Sequence, residues 1–318
     1  MIWRVPYIDL GAQYQSLRHD GIDSAIYKVM ASGKYSGGEE VERFESSMAS
    51  YLGVKHVVSV ASGSDALRLA VIACGIGEGD EVFTTDYAFV ASVEAIVHAG
   101  AKQNLKGITK RTKAVMPVHM NGRYAPLQGK SRWLIEDACQ ALGARYKGIA
   151  VGTEGIGCFS VSPMKILSCA GYGGFVATDD SKIADAVTLL RNHGSRDVGV
   201  TFECFGFHSR LPNLQAAILN VKLPYLDKWI ARRRWIAGVY EKELPEWIKK
   251  PPAPSDGPYF DTYSNYVIGG SPEFLAHMRG KGIECFSHIR TDVVSLPIYP
   301  EMPESDIEIV IAAVKSYG

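Results

Sequence analysis

The sequence predicts an α/β fold built on a largely parallel sheet, and three observations carry that reading. Short apolar, β-rich runs alternate with helical patterns over roughly 130 residues, as stacked βαβ units require. Hydrophobic residues make up 47% and charged residues 21% of the 318, a globular composition that can bury a large core. Near Leu214 the character changes, and a long helix leads into a short α+β tail. At roughly 100–200 residues per domain, the chain divides into a large unit, 1–225, and a small one, 226–318.

Each element follows from local pattern. Residues 17–32 mix polar and apolar side chains at helical spacing and stop at Gly33. Residues 39–52 put Val41, Phe44, Met48 and Leu52 on one face and stop at Gly53, which predicts a second helix. The period then shortens at 56–60, a strand, before an apolar helix over 66–74. Residues 81–85 read as a strand and 88–99 as a helix. Buried strands follow at 113–118, 133–135, 157–160 and 173–178, then a helix at 182–191. The helix predicted over 214–244 carries Arg232-Arg-Arg234, read as a solvated face, and ends at the loop Pro251-Pro-Ala-Pro254.

Charge narrows the partners. The 34 Lys and Arg balance 34 Asp and Glu, which removes a charge-driven case for nucleic acid or an anionic membrane. A local pocket for a phosphorylated small molecule stays open. The six cysteines are scattered without a C-x-x-C pair, a pattern of reduced thiols. Asp9 interrupts the start where a signal peptide needs a continuous apolar stretch, and no run approaches the roughly 20 apolar residues of a membrane span. A cytoplasmic protein is expected. No His/Cys spacing supports a metal site.

Three places could carry chemistry. Ser62-Gly63-Ser64-Asp65 joins a strand to a helix, where free N–H groups and small residues suit a phosphate; a plain N-cap is the alternative. Asp137 ends a buried strand, where a carboxylate needs a cation or several donors. A protonated pyridine nitrogen is one such partner, and a structural cap is the other reading. Gln140 is a neutral donor close by. Lys165 stands alone among apolar and small residues before Gly171-Tyr-Gly-Gly174. A desolvated lysine is a nucleophile for Schiff-base chemistry, although a surface lysine lying along its loop fits too. The order of turn, strand-end acid and strand-end lysine shifts the weight toward chemistry.

At these residues the chain resembles the DegT/DnrJ/EryC1/StrS sugar aminotransferases. The likeness runs from Val5-Pro-Tyr-Ile-Asp-Leu10 through Gly38-Glu-Glu-Val41, Ser62-Gly-Ser-Asp-Ala-Leu67, Phe89-Val-Ala-Ser92 and Glu136-Asp-Ala-Cys-Gln-Ala141. It continues through Ser160-x4-Lys165, Arg191-Asn-His-Gly194 and Arg210-Leu-x-x-Leu-Gln-Ala-Ala217 to Ser295-Leu-Pro297. Each piece is weak, and their order is the signal. The resemblance implies the aspartate-aminotransferase-like fold type I of pyridoxal phosphate (PLP) enzymes: a mostly parallel seven-stranded sheet in the large domain and a small C-terminal α+β domain.

It also implies roles. Lys165 would bind PLP covalently and shuttle the proton, Asp137 would pair with the pyridinium, Gln140 would lie near the ring's phenolic oxygen and Phe89 on its face. Gly63, Ser64, the N–H of Asp65 and the hydroxyl of Ser160 would hold the phosphate. The family completes this cup with an Asn from the partner subunit of a homodimer. In this chain the motif reads Gly206-Phe-His208-Ser-Arg210, so His208 takes that place. Asn265 stands for a family histidine, and residues 103–109 replace a longer strand-and-acidic stretch. His119 and Asn121 could line the sugar pocket, with a satisfied loop histidine as the alternative for His119. Arg210 could hold a carboxylate or phosphate, or pair with an acid in the interface. The expected activity is transfer of an amino group, by family habit from glutamate, to a nucleotide-linked keto-deoxysugar. The alternatives are dehydration, action on a cyclic keto-polyol, or a lapsed regulatory homologue.

Overall fold

A computed structural model describes residues 3–126, 129–197, 200–287 and 290–318. Glycine and proline punctuate the helices. A helix not read from sequence, α1 (Leu10–Leu17), precedes the one expected over 17–32, which begins as a π-type turn over 18–22, in which Gly21 takes φ 103°, and continues as α2 (Asp23–Ser32). Helix α3 (Glu39–Leu52) buries Val41, Phe44, Met48 and Leu52 and stops at a left-handed Gly53, as its spacing predicts. Strand β1 (His56–Val60) precedes α4 (Gly63–Ala73), which starts three residues earlier than its apolar pattern because Ser62 caps it. Next come β2 (Glu81–Thr84), α5 (Val90–His98), β3 (Lys102–Asn104), β4 (Thr112–Met116) and β5 (Trp133–Asp137). A short β6 (Arg145–Tyr146) and β7 (Ile149–Ala150) lead to β8 (Ile156–Ser160), β9 (Gly174–Thr178) and α6 (Ser181–Arg191).

The helix expected over 214–244 is two. Helices α7 (Asn213–Lys222) and α8 (Leu226–Glu243) are separated by a 3-10 turn containing Pro224. Proline has no N–H to continue the ladder, and its ring collides with the carbonyl a turn before. The tail comprises β10 (Tyr259–Phe260), β11 (Tyr266–Gly269), α9 (Pro272–Gly280), β12 (Val293–Leu296) and α10 (Glu304–Lys315).

Seven strands form the main sheet in the order β1-β9-β8-β5-β4-β2-β3. Strand β9 runs antiparallel to both neighbours and every other pairing is parallel. The shortened 103–109 segment is thus accounted for by a three-residue edge strand, β3. Alternation sorts the sheet's side chains. Phe159 and Phe175 join α3, α7 and the start of α8 in one core, while Cys158 and Val176 join α4, α5 and α6 in another. A third core gathers Tyr240 of α8, Tyr266, Phe274, Val294, Val310 and, from the far end of the chain, Val5. Val5 reaches it through a parallel bridge to Ile283.

One polar cluster ties the first layer together. Arg191 donates to Glu45 Oε1 and to the Ser59 carbonyl, both at 2.6 Å, while Glu45 Oε1 accepts from the Ser59 N–H and hydroxyl at 2.8 and 2.6 Å. This gives the Arg191 of the Arg191-Asn-His-Gly194 motif a structural part. Glu45→Ala is expected to lower stability by about 1–3 kcal/mol, because a largely buried guanidinium loses its acid. Arg191→Met should add little in that background, and thermal unfolding of the two single variants and the double variant checks this.

Candidate active site

Parallel strands of one sheet end on one edge, and the loops beyond that edge can converge side chains from distant positions. A cavity of about 400 Å³ opens there, and Gly63, Ser64, Phe89, Asp137, Gln140 and Lys165 line it, together with His119 and Ser160. Asp65, Asn121, His208 and Arg210 stand outside that lining.

One end of the cavity is the start of α4. Ser62 Oγ accepts from the Asp65 N–H at 3.1 Å, so the N–H expected at a phosphate is engaged by the cap. The Asp65 carboxylate pairs with Arg68 and accepts from Ser209 Oγ at 2.7 Å. The Gly63 and Ser64 N–H groups have no acceptor within the helix and belong to residues on the cavity wall. Packing here leaves no room for side chains. A Cβ on Gly63 would stand 2.6 Å from Ser160 Cβ, and one on Gly174 would stand 2.5 Å from the Ser62 carbonyl.

Asp137 terminates β5, two residues beyond the strand end read from sequence, and is 5% exposed. Its Oδ2 accepts from Ser92 Oγ at 2.5 Å and its Oδ1 from the Cys139 N–H at 3.1 Å. Ser92 lies on the buried side of α5, one turn past Phe89, and the sequence alone gives it no role. The neighbouring Cys139 thiol is pushed well above its usual pKa by burial and by the Asp137 charge.

Lys165 sits on the loop that leaves β8, half-buried, with its N–H donating to the Ser162 carbonyl at 3.0 Å. That loop is pinned from below by a second lysine. Lys222, 7% exposed on α7, donates to Gln13 Oε1 at 2.7 Å, to the Ser168 carbonyl at 2.8 Å and to Ser168 Oγ at 3.3 Å. All three acceptors are neutral, and burial pulls its pKa down to about 8. The sequence does hold a signal for it: Lys222 follows Ile218 by four residues on a buried row of α7.

The remaining predicted residues divide. His119 is 1% exposed; its Nδ1 accepts from the Ala125 N–H at 3.1 Å and its Nε2 stands 3.2 Å from Glu136 Oε2. An imidazole nitrogen that accepts carries no proton, so Nε2–H donates to Glu136. Both ring nitrogens are engaged, which matches the satisfied-histidine alternative. Asn121 donates its N–H to Gln140 Oε1 at 3.0 Å and lines two adjoining cavities. His208 stacks on His193 at 5.1 Å, and its Nε2 lies 3.3 Å from a guanidinium nitrogen of Arg210. Among the described residues no group of three His, Cys, Asp or Glu could hold a metal ion, and no helix is long and apolar enough to cross a membrane.

Lys222 sets a pH dependence. Its amine titrates near 8 in the folded protein against 10.5 for the ordinary group, so between these values the unfolded chain binds a proton that the native state does not. The cost of burying the charge is fully present below about pH 8 and is relieved as pH rises. Relative to Lys222→Met, the wild type should therefore gain stability from pH 8 to 10, measured by denaturant titration of both proteins across that range.

The profile of the DegT/DnrJ/EryC1/StrS aminotransferase family matches residues 18–257. A dTDP-3-amino-3,4,6-trideoxy-α-D-glucose transaminase of Streptomyces venezuelae is 36% identical, over 93% of this chain and 84% of that one. A UDP-N-acetyl-3-dehydro-α-D-glucosamine 3-aminotransferase of Acidithiobacillus ferrooxidans is 32% identical, over 98% and 97%. The crystal structure of S. venezuelae DesV in complex with a ketimine intermediate matches with a TM-score of 0.89 at 32% identity, covering 99% of this chain and 98% of that one. Ordered motifs, several of which meet in one cavity, and likeness over nearly the whole length lead to one conclusion: the chain belongs to the DegT/DnrJ/EryC1/StrS aminotransferase family.

Proposed function

We propose that this aminotransferase moves an amino group from an amino-acid donor, glutamate, onto the 3-keto group of a nucleotide-linked keto-deoxysugar. The relatives named above act on dTDP- and UDP-linked amino sugars at that carbon. The observation that carries the reading is the meeting of a buried strand-end carboxylate, a lone lysine and a helix start that opens on a tightly packed glycine in one cavity.

The residues fit pyridoxal phosphate, the family's cofactor. The Gly63 and Ser64 N–H groups with the Ser160 hydroxyl suit its phosphate, Asp137 suits the pyridinium, Phe89 the ring face and Gln140 the phenolic oxygen. When bound, the cofactor supplies an electron sink for negative charge at the substrate carbon. Asp137 would keep a proton on the ring nitrogen, and Ser92 and the Cys139 N–H hold that carboxylate in place. Lys165 Nζ would move a proton between the substrate carbon and the cofactor, outward in the donor half and back in the acceptor half, while the clamp at Ser168 limits how far its loop can move.

We read the active form as a homodimer. Phe89, Met164 and Tyr172 at the cavity mouth are 47–75% exposed, and Phe202 and Phe205 stand out on the segment before Gly206. Apolar side chains clustered round a site favour cover by a protein surface, and a second copy would bring His208 toward its partner's phosphate end and Arg210 near the sugar. The chain is further read as a large unit, 1–225, and a small one, 226–318, a reading supported by the break at Pro224 and the separate C-terminal core. Six unpaired thiols suit a reducing compartment, and the protein is read as cytoplasmic.

Protein incubated with pyridoxal phosphate should gain a visible absorbance band that glutamate removes and an accepted keto-sugar restores. Absorbance titration with dTDP- and UDP-linked 3- and 4-keto sugars checks this; Lys165→Ala should abolish the band, and an unchanged band defeats the reading. Gly63→Ala should weaken cofactor affinity at least tenfold, roughly 1.4 kcal/mol, with the helical circular dichroism retained.

A further inference from the structure

Gln140 Oε1 accepts two hydrogen bonds at 3.0 Å each, from the Asn121 N–H and from Asn265 Nδ2. A peptide N–H can only donate, so the Gln140 atom facing it must be the oxygen, and the amide has one orientation. The rest of the chain then has a fixed polarity. The Asn265 atom against Oε1 must be a donor, which turns Asn265 Oδ1 the other way. That oxygen accepts from the Tyr7 hydroxyl at 2.9 Å, and the Tyr7 oxygen in turn accepts from Ser295 Oγ at 2.7 Å. Asn265 Nδ2 also reaches Asn121 Oδ1 at 3.3 Å.

The Asn121 N–H that starts this series sits in a held backbone. Asn121 takes φ 59° and Gly122 φ 86°, and a Cβ on Gly122 would stand 2.8 Å from the Tyr263 N–H nitrogen. Burial pushes the Tyr7 hydroxyl up to about 12, so it remains a donor at any working pH. Gln140, Asn265 and Tyr7 all line the main cavity. With Oε1 doubly committed, the two Nε2 hydrogens are what Gln140 has left to offer a ligand there.

We infer that Asn265 and Tyr7 are positioning residues which fix Gln140 with its NH₂ toward the cofactor cavity, making it a dedicated donor to an oxyanion. The inference rests on the cofactor reading above and adds the device that orients one of its contacts. Asn265→Asp puts a lone pair against Gln140 Oε1 and should disorder the amide. Its expected effect is a tenfold or greater rise in the pyridoxal phosphate Kd and a displaced visible maximum. Gln140→Glu, which has no NH₂ to offer in either orientation, should do the same. Because both act on one contact, the double variant should bind no more weakly than Gln140→Glu alone. Tyr7→Phe, which frees Asn265 to flip, should give a smaller loss in the same direction.

Kd and absorbance maximum for the four variants, with thermal unfolding as a folding control, test this. Full additivity of Asn265→Asp and Gln140→Glu, or an Asn265→Asp protein with the wild-type maximum and Kd, overturns it. Wild-type protein that gains no band at all defeats the cofactor reading, and the role of Gln140 falls with it. That outcome is separate from a wild-type band that Asn265→Asp leaves unmoved.

Discussion

The site depends on three backbone segments meeting where no Cβ would fit. Gly174 opens β9 opposite Val60, the last residue of β1, and Ser160, the last of β8. Being the one antiparallel strand in the sheet, β9 presents its beginning where its neighbours present their ends. This threads a glycine between two strand termini, directly beneath Ser62 and Gly63. Without that close approach the α4 start would be lifted away from β8, and the bare N–H groups of Gly63 and Ser64 would no longer share a cavity with Lys165 and Asp137.

Around this cradle the protein manages charge by two contrasting means. The Asp137 carboxylate is buried beside the cavity with Ser92 and the Cys139 N–H as donors. Lys222 is the converse, a buried ammonium surrounded by neutral oxygens from α1 and the Lys165 loop. Hydrogen bonds to charged groups are stronger than neutral ones, so each lone charge tightens its surroundings: one fixes the floor of the cavity, the other the loop above it. Neutral amides do the orienting elsewhere, from Asn121 to Tyr7.

Much of this was legible along the chain. The α3 face, the alternation of strands and helices, the strand-end acid and the lone lysine are local patterns, and local patterns are what sequence periodicity encodes. The helix breaks were misread for a specific reason: apolar spacing continues through Gly21 and Pro224, and only their backbone chemistry interrupts it. Long-range pairings were not legible at all. Nothing in Val5 or Tyr7 announces that the first residues of the chain join the C-terminal core, and nothing near Lys222 names Ser168. The roles of Ser92 and Asn265 depend on which atoms meet across folded space. His119 illustrates the same limit: it lines the cavity while both its ring nitrogens are engaged by Glu136 and the Ala125 N–H, a pairing no local pattern announces.

Cys139 has a consequence of its own. A thiol on the wall of a cavity suited to an aldehyde-bearing molecule is a rival nucleophile, since thiolates add readily to aldehydes. Burial and the Asp137 charge hold this sulfur in its protonated, unreactive form. On the reading proposed for this site, the acid that would face the ring nitrogen would also oppose ionisation of the competing sulfur, leaving Lys165 as the nucleophile at the carbonyl. Burial, with the nearby carboxylate adding to it, thus disfavours the thiolate at the cavity wall.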